Sequence, residues 1–324
     1  SQVVLLVGRL DVFTKFHPGP LLRTLADLRQ GECPRLRLLI YGEAPNSAME
    51  QLWNAGLSQA APDLPVHWVP GRQLSLAAPV RWAADLFVSL ADNPQETFGI
   101  TPLEAMAAGL PCLVSDWDGY RDTVTDAVGV RIPTRLVEGL GEEEARGMLT
   151  ETLPYDQAVG RLGQGIAVDP VALRRALHDL LSQPQRLQEL GTAGRQRIAQ
   201  HYTWSAVIEQ WRELIADLAD RRNHAVNQGT NTPAQLPPWM PSCSTGFGAF
   251  ASTVIPANQH LTWRAVDPAG EATKRLKDPL DQWDEDLREQ LRCLSNTPLQ
   301  HQQLSARSLG WLVKQGLAET TQRE

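Results

Sequence analysis

Short, largely apolar runs separated by helix-length stretches constrain this chain more than any other feature. Within residues 1–134 the runs are VVLLVG (3–8), RLRLLIYG (35–42), VHWVP (66–70), DLFVSL (85–90), LPCLVS (110–115) and VGVRIP (128–133). A strand covered on both faces reads as a continuous apolar run, whereas a half-exposed strand alternates. Stretches suited to helices lie between them, near 19–30, 47–58, 75–84, 102–108 and 119–126. Strand and helix in alternation predict an α/β domain with a doubly wound parallel sheet, Rossmann-like in plan. Sheets of this kind bind ligands at the carboxyl ends of their strands.

The most informative segment is NPQETFGITPLEAMAAGLPCLVSD, residues 93–116, in which Glu96 and Glu104 stand eight apart. Gly99 and Pro102 are costly inside a helix, so one helix through both acids is disfavoured. Pro102 suits a first helical position, with Thr101 as N-cap and Glu104 at the third position, a capping-box spacing. Gly109 is suited to end that helix, and Glu96 falls in the loop ahead of it. Capping alone accounts for Glu104. A second account is chemical: a helix mouth offers backbone N–H groups and a positive dipole end to an anion. A neighbouring carboxylate can then accept hydrogen bonds from sugar or ribose hydroxyls.

The chain has 324 residues, enough for more than one domain, and a net charge of −7, which disfavours non-specific nucleic-acid binding. Its four cysteines, Cys33, Cys112, Cys243 and Cys293, lack metal-ligand spacing and read as reduced thiols of a cytoplasmic protein. No apolar run reaches transmembrane length. The chain opens directly into an apolar strand, as if a segment ahead of it were missing. Residues 135–156 read as a surface insertion. Asp169-Pro170 opens a helix, and a second follows from Pro184. A third carries Trp204, Val207, Ile208, Trp211, Leu214, Ile215 and Leu218 on one face, a spacing read as core. Residues 223–241 are polar and Pro/Gly-rich and read as a linker. The rest, 242–324, is expected to be an extension with two helices, at 279–295 and at 305–316 closed by Gly316. It has no basic stripe that would suit DNA.

ETFGITPLEAMAAGLPCLVSD resembles the E-x(7)-E region of retaining, nucleotide-sugar-dependent glycosyltransferases of the GT-B fold. The resemblance runs over about 1–222 and includes VGRLDVFTK, IYGEAP, VHWVPGR and GTAGRQRIAQHYTWSAVIEQW. It implies two Rossmann-like domains facing across a cleft, with this chain as the C-terminal, donor-binding one and an acceptor domain as its partner. Residues 203–222 then resemble the helix that crosses back to that acceptor domain. The resemblance assigns Arg9 and Lys15, in the loop after Gly8, to the donor pyrophosphate and Glu104 to the ribose. Glu96 falls toward the donor sugar. Phe98, Gly99, Ile100 and Thr101 would offer backbone N–H groups. Arg72 stands near the expected position of the base, with a solvated surface role as the plainer account.

Two departures stand out. Phe16-His17-Pro18 follows Lys15 where relatives carry glycine, and DWDGYRD (116–122) replaces a loop with paired glycines. The implied substrate is a nucleoside-diphosphate sugar and the acceptor a saccharide or lipid, with no metal and no other cofactor. Arg9, Lys15 and the helix mouth would stabilise charge on the departing phosphate, and Glu96 would work beside the reacting sugar. Such an enzyme would be cytoplasmic, with peripheral attachment to a membrane as a further option, and would serve polysaccharide or glycolipid synthesis. Competing readings are a non-catalytic nucleotide-sugar-binding subunit, a sugar-nucleotide epimerase of the same fold, and an interaction protein that keeps the fold only as scaffold.

Overall fold

The computed structural model describes residues 2–94, 96–227, 247–256, 261–264, 274 and 305–320. All six predicted strands form, as β1 (Gln2–Arg9), β2 (Leu36–Glu43), β3 (Val66–Pro70), β4 (Leu86–Ser89), β5 (Cys112–Ser115) and β6 (Gly129–Ile132). They hydrogen-bond in the order β3-β2-β1-β4-β5-β6, every pair parallel. The chain therefore winds outward from β1 in one direction, returns, and winds outward from β4 in the other. That makes β1/β4 the point where the winding direction reverses, and the crevice outside the carboxyl ends of the strands there is where such sheets bind ligands.

Burial on both faces explains the apolar runs. One face packs on α1 (Gly19–Gln30), α2 (Ser47–Ala60) and α8 (Pro170–Leu181), with Leu21, Leu25, Trp53, Leu173 and Leu177 in a shared core. The other packs on α3 (Ala77–Trp82), α4 (Ile100–Ala108) and α5 (Tyr120–Thr123), around Val80, Ala105, Met106 and Tyr120. Leu5, Leu38, Phe87, Val88, Leu113 and Val114 are at most 1 % exposed. Each fully buried side chain of that size contributes about 1.5–3 kcal/mol of transfer free energy. Asn46 and Asp169 cap α2 and α8, each accepting backbone N–H bonds of 2.9–3.0 Å.

Three expectations are corrected. Residues 135–156 are no loose insertion. β7 (Thr134–Val137) runs antiparallel to β8 (Ile166–Val168) and parallel to β9 (Thr253–Ile255) in a second small sheet, followed by α6 (Glu142–Leu149) and α7 (Tyr155–Gln164). Leu136, Val137, Leu140 and Ala145 are buried there. The third predicted helix forms as α10 (Trp204–Asn227), after α9 (Pro184–His201), and so runs past the expected linker start. Its apolar stripe is not core: Trp204 is 82 % exposed, and Ile208, Trp211, Leu214, Ile215 and Leu218 are exposed as well. A helical period marks a face that favours apolar contact and does not say whether this chain supplies the contact.

The described parts of the extension pack against the first unit. β9 extends the small sheet, and β10 (Leu261–Trp263) pairs antiparallel with β11 (Ala318–Thr320). The helix expected at 305–316 forms as α11 (Ala306–Lys314), capped by the Ser305 hydroxyl and left through Gly316. Its Leu309, Trp311, Leu312 and Val313 form a third core cluster with Val137, Ala167 and Ile255. The helix expected at 279–295, residues 228–241 of the expected linker and 242–246 of the extension lie outside the described residues.

Candidate functional site at the switch point

β1 ends in Gly8-Arg9 and delivers the chain into a loop ordered by Asp11. Its Oδ1 accepts the amides of Phe13 and Thr14 at 2.9 and 3.2 Å, and its Oδ2 accepts the Thr14 hydroxyl at 2.6 Å. Short polar side chains commonly fold a loop this way, by substituting for a backbone turn. The turn places Arg9 exposed at the strand end and sends Lys15 across to the loop after β4, where its Nζ pairs with Glu96 Oε2. The two side chains are 20 % and 10 % exposed. The cation and acid expected at the donor thus meet across β1 and β4, 81 residues apart in sequence.

The second loop is held from both sides. Asn93 donates through its side-chain amide to the Lys15 carbonyl, and its own carbonyl accepts the Trp117 indole N–H at 2.9 Å. The Tyr120 hydroxyl donates to Glu96 Oε2 at 3.4 Å and shares a 2.7 Å hydrogen bond with Ser89 Oγ. Burial, then the nearby Glu96 carboxylate, pushes the Tyr120 phenol well above its usual range, so it remains a donor. Gly99, at φ 74°, lies directly over this ring, and a Cβ there would sit 2.2 Å from Tyr120 Cε1.

The expected capping box is not what forms. The residue at the N-cap of α4 is Gly99, whose backbone no other residue adopts readily, so the helix begins at Ile100 instead of Pro102. Thr101 lies inside the first turn, its hydroxyl buried without a hydrogen-bond partner among the described residues. No side chain caps the helix and its first turn carries no acidic residue. Glu104 turns to α3 and pairs through Oε2 with the buried guanidinium of Arg81, its own side chain 48 % exposed. Glu96 and Glu104 therefore have different partners. Phe98 and Ile100 are exposed at the helix mouth. Arg72 pairs with Glu43 at the surface.

Residues 116–120, after β5, form the third side. Asp116 holds Arg121 at 3.2 Å and Arg131 at 3.7 Å. Asp118 stands at φ 40° with Oδ2 buried and without a hydrogen-bond partner among the described residues. Burial first, then the Asp122 and Glu96 carboxylates, push its carboxyl up to about 6. Gly119 fits because a Cβ would lie 2.3 Å from the Thr97 carbonyl oxygen, so this loop rides on the Glu96 loop. Sequence reasoning passed over Tyr120, Ser89, Asn93 and Asp118. The available signal was position: Ser89 ends an apolar strand at the carboxyl edge of the sheet, and Asn93, Asp118 and Tyr120 follow such strands. Among the described residues, no three His, Cys, Asp or Glu side chains gather as metal ligands would, and no helix is long and apolar enough to cross a membrane.

A six-stranded sheet of this order, with charged loops converging after β1, β4 and β5, defines a Rossmann-like α/β domain. Residues 1–145 match the family model described as glycosyl transferases group 1. It is 26 % identical over 214 residues to D-inositol 3-phosphate glycosyltransferase of Segniliparus rotundus, covering 64 % of this chain and 38 % of that protein. It is also 26 % identical over 186 residues to alpha-maltose-1-phosphate synthase of Mycolicibacterium smegmatis, covering 56 % and 40 %. The chain thus spans about two-fifths of the length of these curated relatives. Among solved structures, sucrose-phosphate synthase from Thermosynechococcus elongatus aligns at 23 % identity and a TM-score of 0.49, over 68 % of this chain and 46 % of that one.

Proposed function

We propose that this chain supplies the donor-binding half of a glycosyltransferase that moves a sugar from a nucleoside-diphosphate sugar to a saccharide or lipid acceptor with retention of configuration. The observation that carries the reading is the meeting of Lys15 and Glu96 at the switch point, beside the uncapped N-terminus of α4. Arg9, Lys15 and the backbone N–H groups of Phe98, Gly99, Ile100 and Thr101 hold the diphosphate, as a helix mouth with adjacent cations is suited to do. When the bond from the anomeric carbon to the departing phosphate breaks, these groups stabilise the growing negative charge. A divalent metal is not required for that role. Losing one preorganised donor of this kind costs about 10²–10³ in rate.

Arg81 fixes Glu104 through one carboxylate oxygen, and the exposed side of the group accepts hydrogen bonds from the ribose hydroxyls. Glu96 stands toward the sugar, oriented by Lys15 and Tyr120. The exposed stripe of Trp204, Ile208, Trp211, Ile215 and Leu218 on α10 supports an acceptor-binding domain as the missing partner. The test is calorimetry of the chain with UDP-, GDP- and ADP-sugars and the free diphosphates, with and without EDTA. Metal-independent binding of one of them is expected. Absence of binding by folded protein to all of them would overturn the reading.

A further inference from the structure

Lys314 is the last residue of α11, a helix outside the region that matches the family, yet its side chain reaches the loop after β4. Lysine is almost never fully buried unless paired, and this one is 2 % exposed. Its Nζ lies 2.5 Å from Asp92 Oδ2 and donates to the Gly163 carbonyl at 2.7 Å. Asp92 is itself 4 % exposed, and the same Oδ2 accepts the His17 amide at 3.2 Å. Its neighbour Asn93 grips the Lys15 carbonyl and the Trp117 indole. One buried ammonium therefore neutralises the carboxylate from which both site loops hang, the one after β1 and the one after β4.

The helix is held close enough to make that reach. A Cβ on Gly310 would lie 2.3 Å from the Gly165 carbonyl oxygen, so α11 sits directly on the turn before β8. Arg307, in the first turn of α11, pairs with the buried Glu144 at 3.7 Å. Taking away the cation leaves Asp92 as a buried charge without a counter-ion, which must then protonate, admit water or move. Each of these outcomes weakens or shifts the acceptor of the His17 amide and, through the neighbouring Asn93, disturbs the seat of the Lys15 carbonyl.

We propose that Lys314 is a positioning residue: the C-terminal extension locks the Lys15 and Glu96 loops into their binding geometry through the Lys314–Asp92 pair. The proposal rests on the donor-binding reading for its affinity readout, and on the structure alone for the coupling itself.

The experiment uses the full chain, wild type and Lys314→Met, well below the melting midpoint of each. Calorimetry reads affinity for whichever of UDP, GDP or ADP the wild type binds, and hydrogen exchange reads the amides of residues 15–17 and 92–93. Expected are faster exchange at His17 and an affinity loss of about tenfold, within the range usual for coupled sites. Conversely, the diphosphate should slow exchange along α11 in the wild type, because coupling is reciprocal. Lys314→Arg, which keeps the charge, should recover part of the loss. A lower melting temperature with wild-type exchange at 15–17 and wild-type affinity would overturn the proposal and leave Lys314 a packing residue. If Lys314→Met does not fold, Asp92→Asn replaces it: the amide oxygen can still accept from His17, so unchanged exchange at α11 and at 15–17 together would refute the coupling. If the wild type binds no diphosphate, the donor reading fails, and exchange at His17 still decides whether the extension positions the loop.

Discussion

Gly99→Ala tests the geometry of the site without presupposing its ligand. At φ 74° and ψ 95° the residue lies where an L side chain is strained, and its new Cβ would stand 2.2 Å from Tyr120 Cε1 and 3.0 Å from Cδ1. The backbone part costs about 1–2 kcal/mol. Tyr120 is fully buried and cannot yield cheaply, so overpacking adds about 1–3 kcal/mol. The total is roughly 2–5 kcal/mol. Gly139 supplies the control, since it has φ 82° and nothing within 4 Å of its would-be Cβ. Gly139→Ala should show only the backbone part, and the difference between the two variants isolates the clash. Urea denaturation reads both as shifts in midpoint at unchanged slope. Displacing the Tyr120 ring also pulls its hydroxyl from Glu96 and Ser89, so binding of an intact donor should weaken in Gly99→Ala and not in Gly139→Ala. Equal losses of about 1 kcal/mol in the two variants would refute the placement of Gly99 over Tyr120.

Three further outcomes follow from the same geometry. Glu96→Gln should spare affinity for the free nucleoside diphosphate while weakening the intact donor, and equal losses for both would remove Glu96 from the sugar. Glu104→Gln should lower diphosphate affinity about tenfold; if titration finds it unchanged, Glu104 serves only to neutralise Arg81. The Asp118 carboxyl is held up at about 6 against an ordinary 3.8, so the folded state binds its proton more tightly than the unfolded chain does. Its contribution to stability is therefore present below about pH 4 and lost as pH rises through about 6. Asp118→Asn should flatten that descent and raise the melting temperature at pH 7, and asparagine tolerates the positive φ. A descent between pH 4 and 6 unchanged in Asp118→Asn would assign it to other groups.

The sequence by itself determined the six-stranded α/β domain. Strands buried on both faces need apolar runs, and nothing about the rest of the chain alters that requirement, so 3–8, 85–90 and 110–115 were legible one by one. It also placed Arg9, Lys15 and Glu96 at or just after strand ends on the carboxyl edge of the sheet, while the roles given to them and to Glu104 came from the resemblance. What only the tertiary structure decided was partnership. Glu104 reads locally as a capping residue, but Gly99 moved the helix start and Arg81, 23 residues earlier, took the carboxylate. Lys15 and Glu96 meet only because β1 and β4 are neighbours in the sheet. The stripe on α10 has the period of a core and lies in solvent, since periodicity records a preference for contact and not its fulfilment. Lys314 carried no local signal at all: its role follows from a buried contact with Asp92, 222 residues away, and a charge pair at that separation is fixed by packing alone.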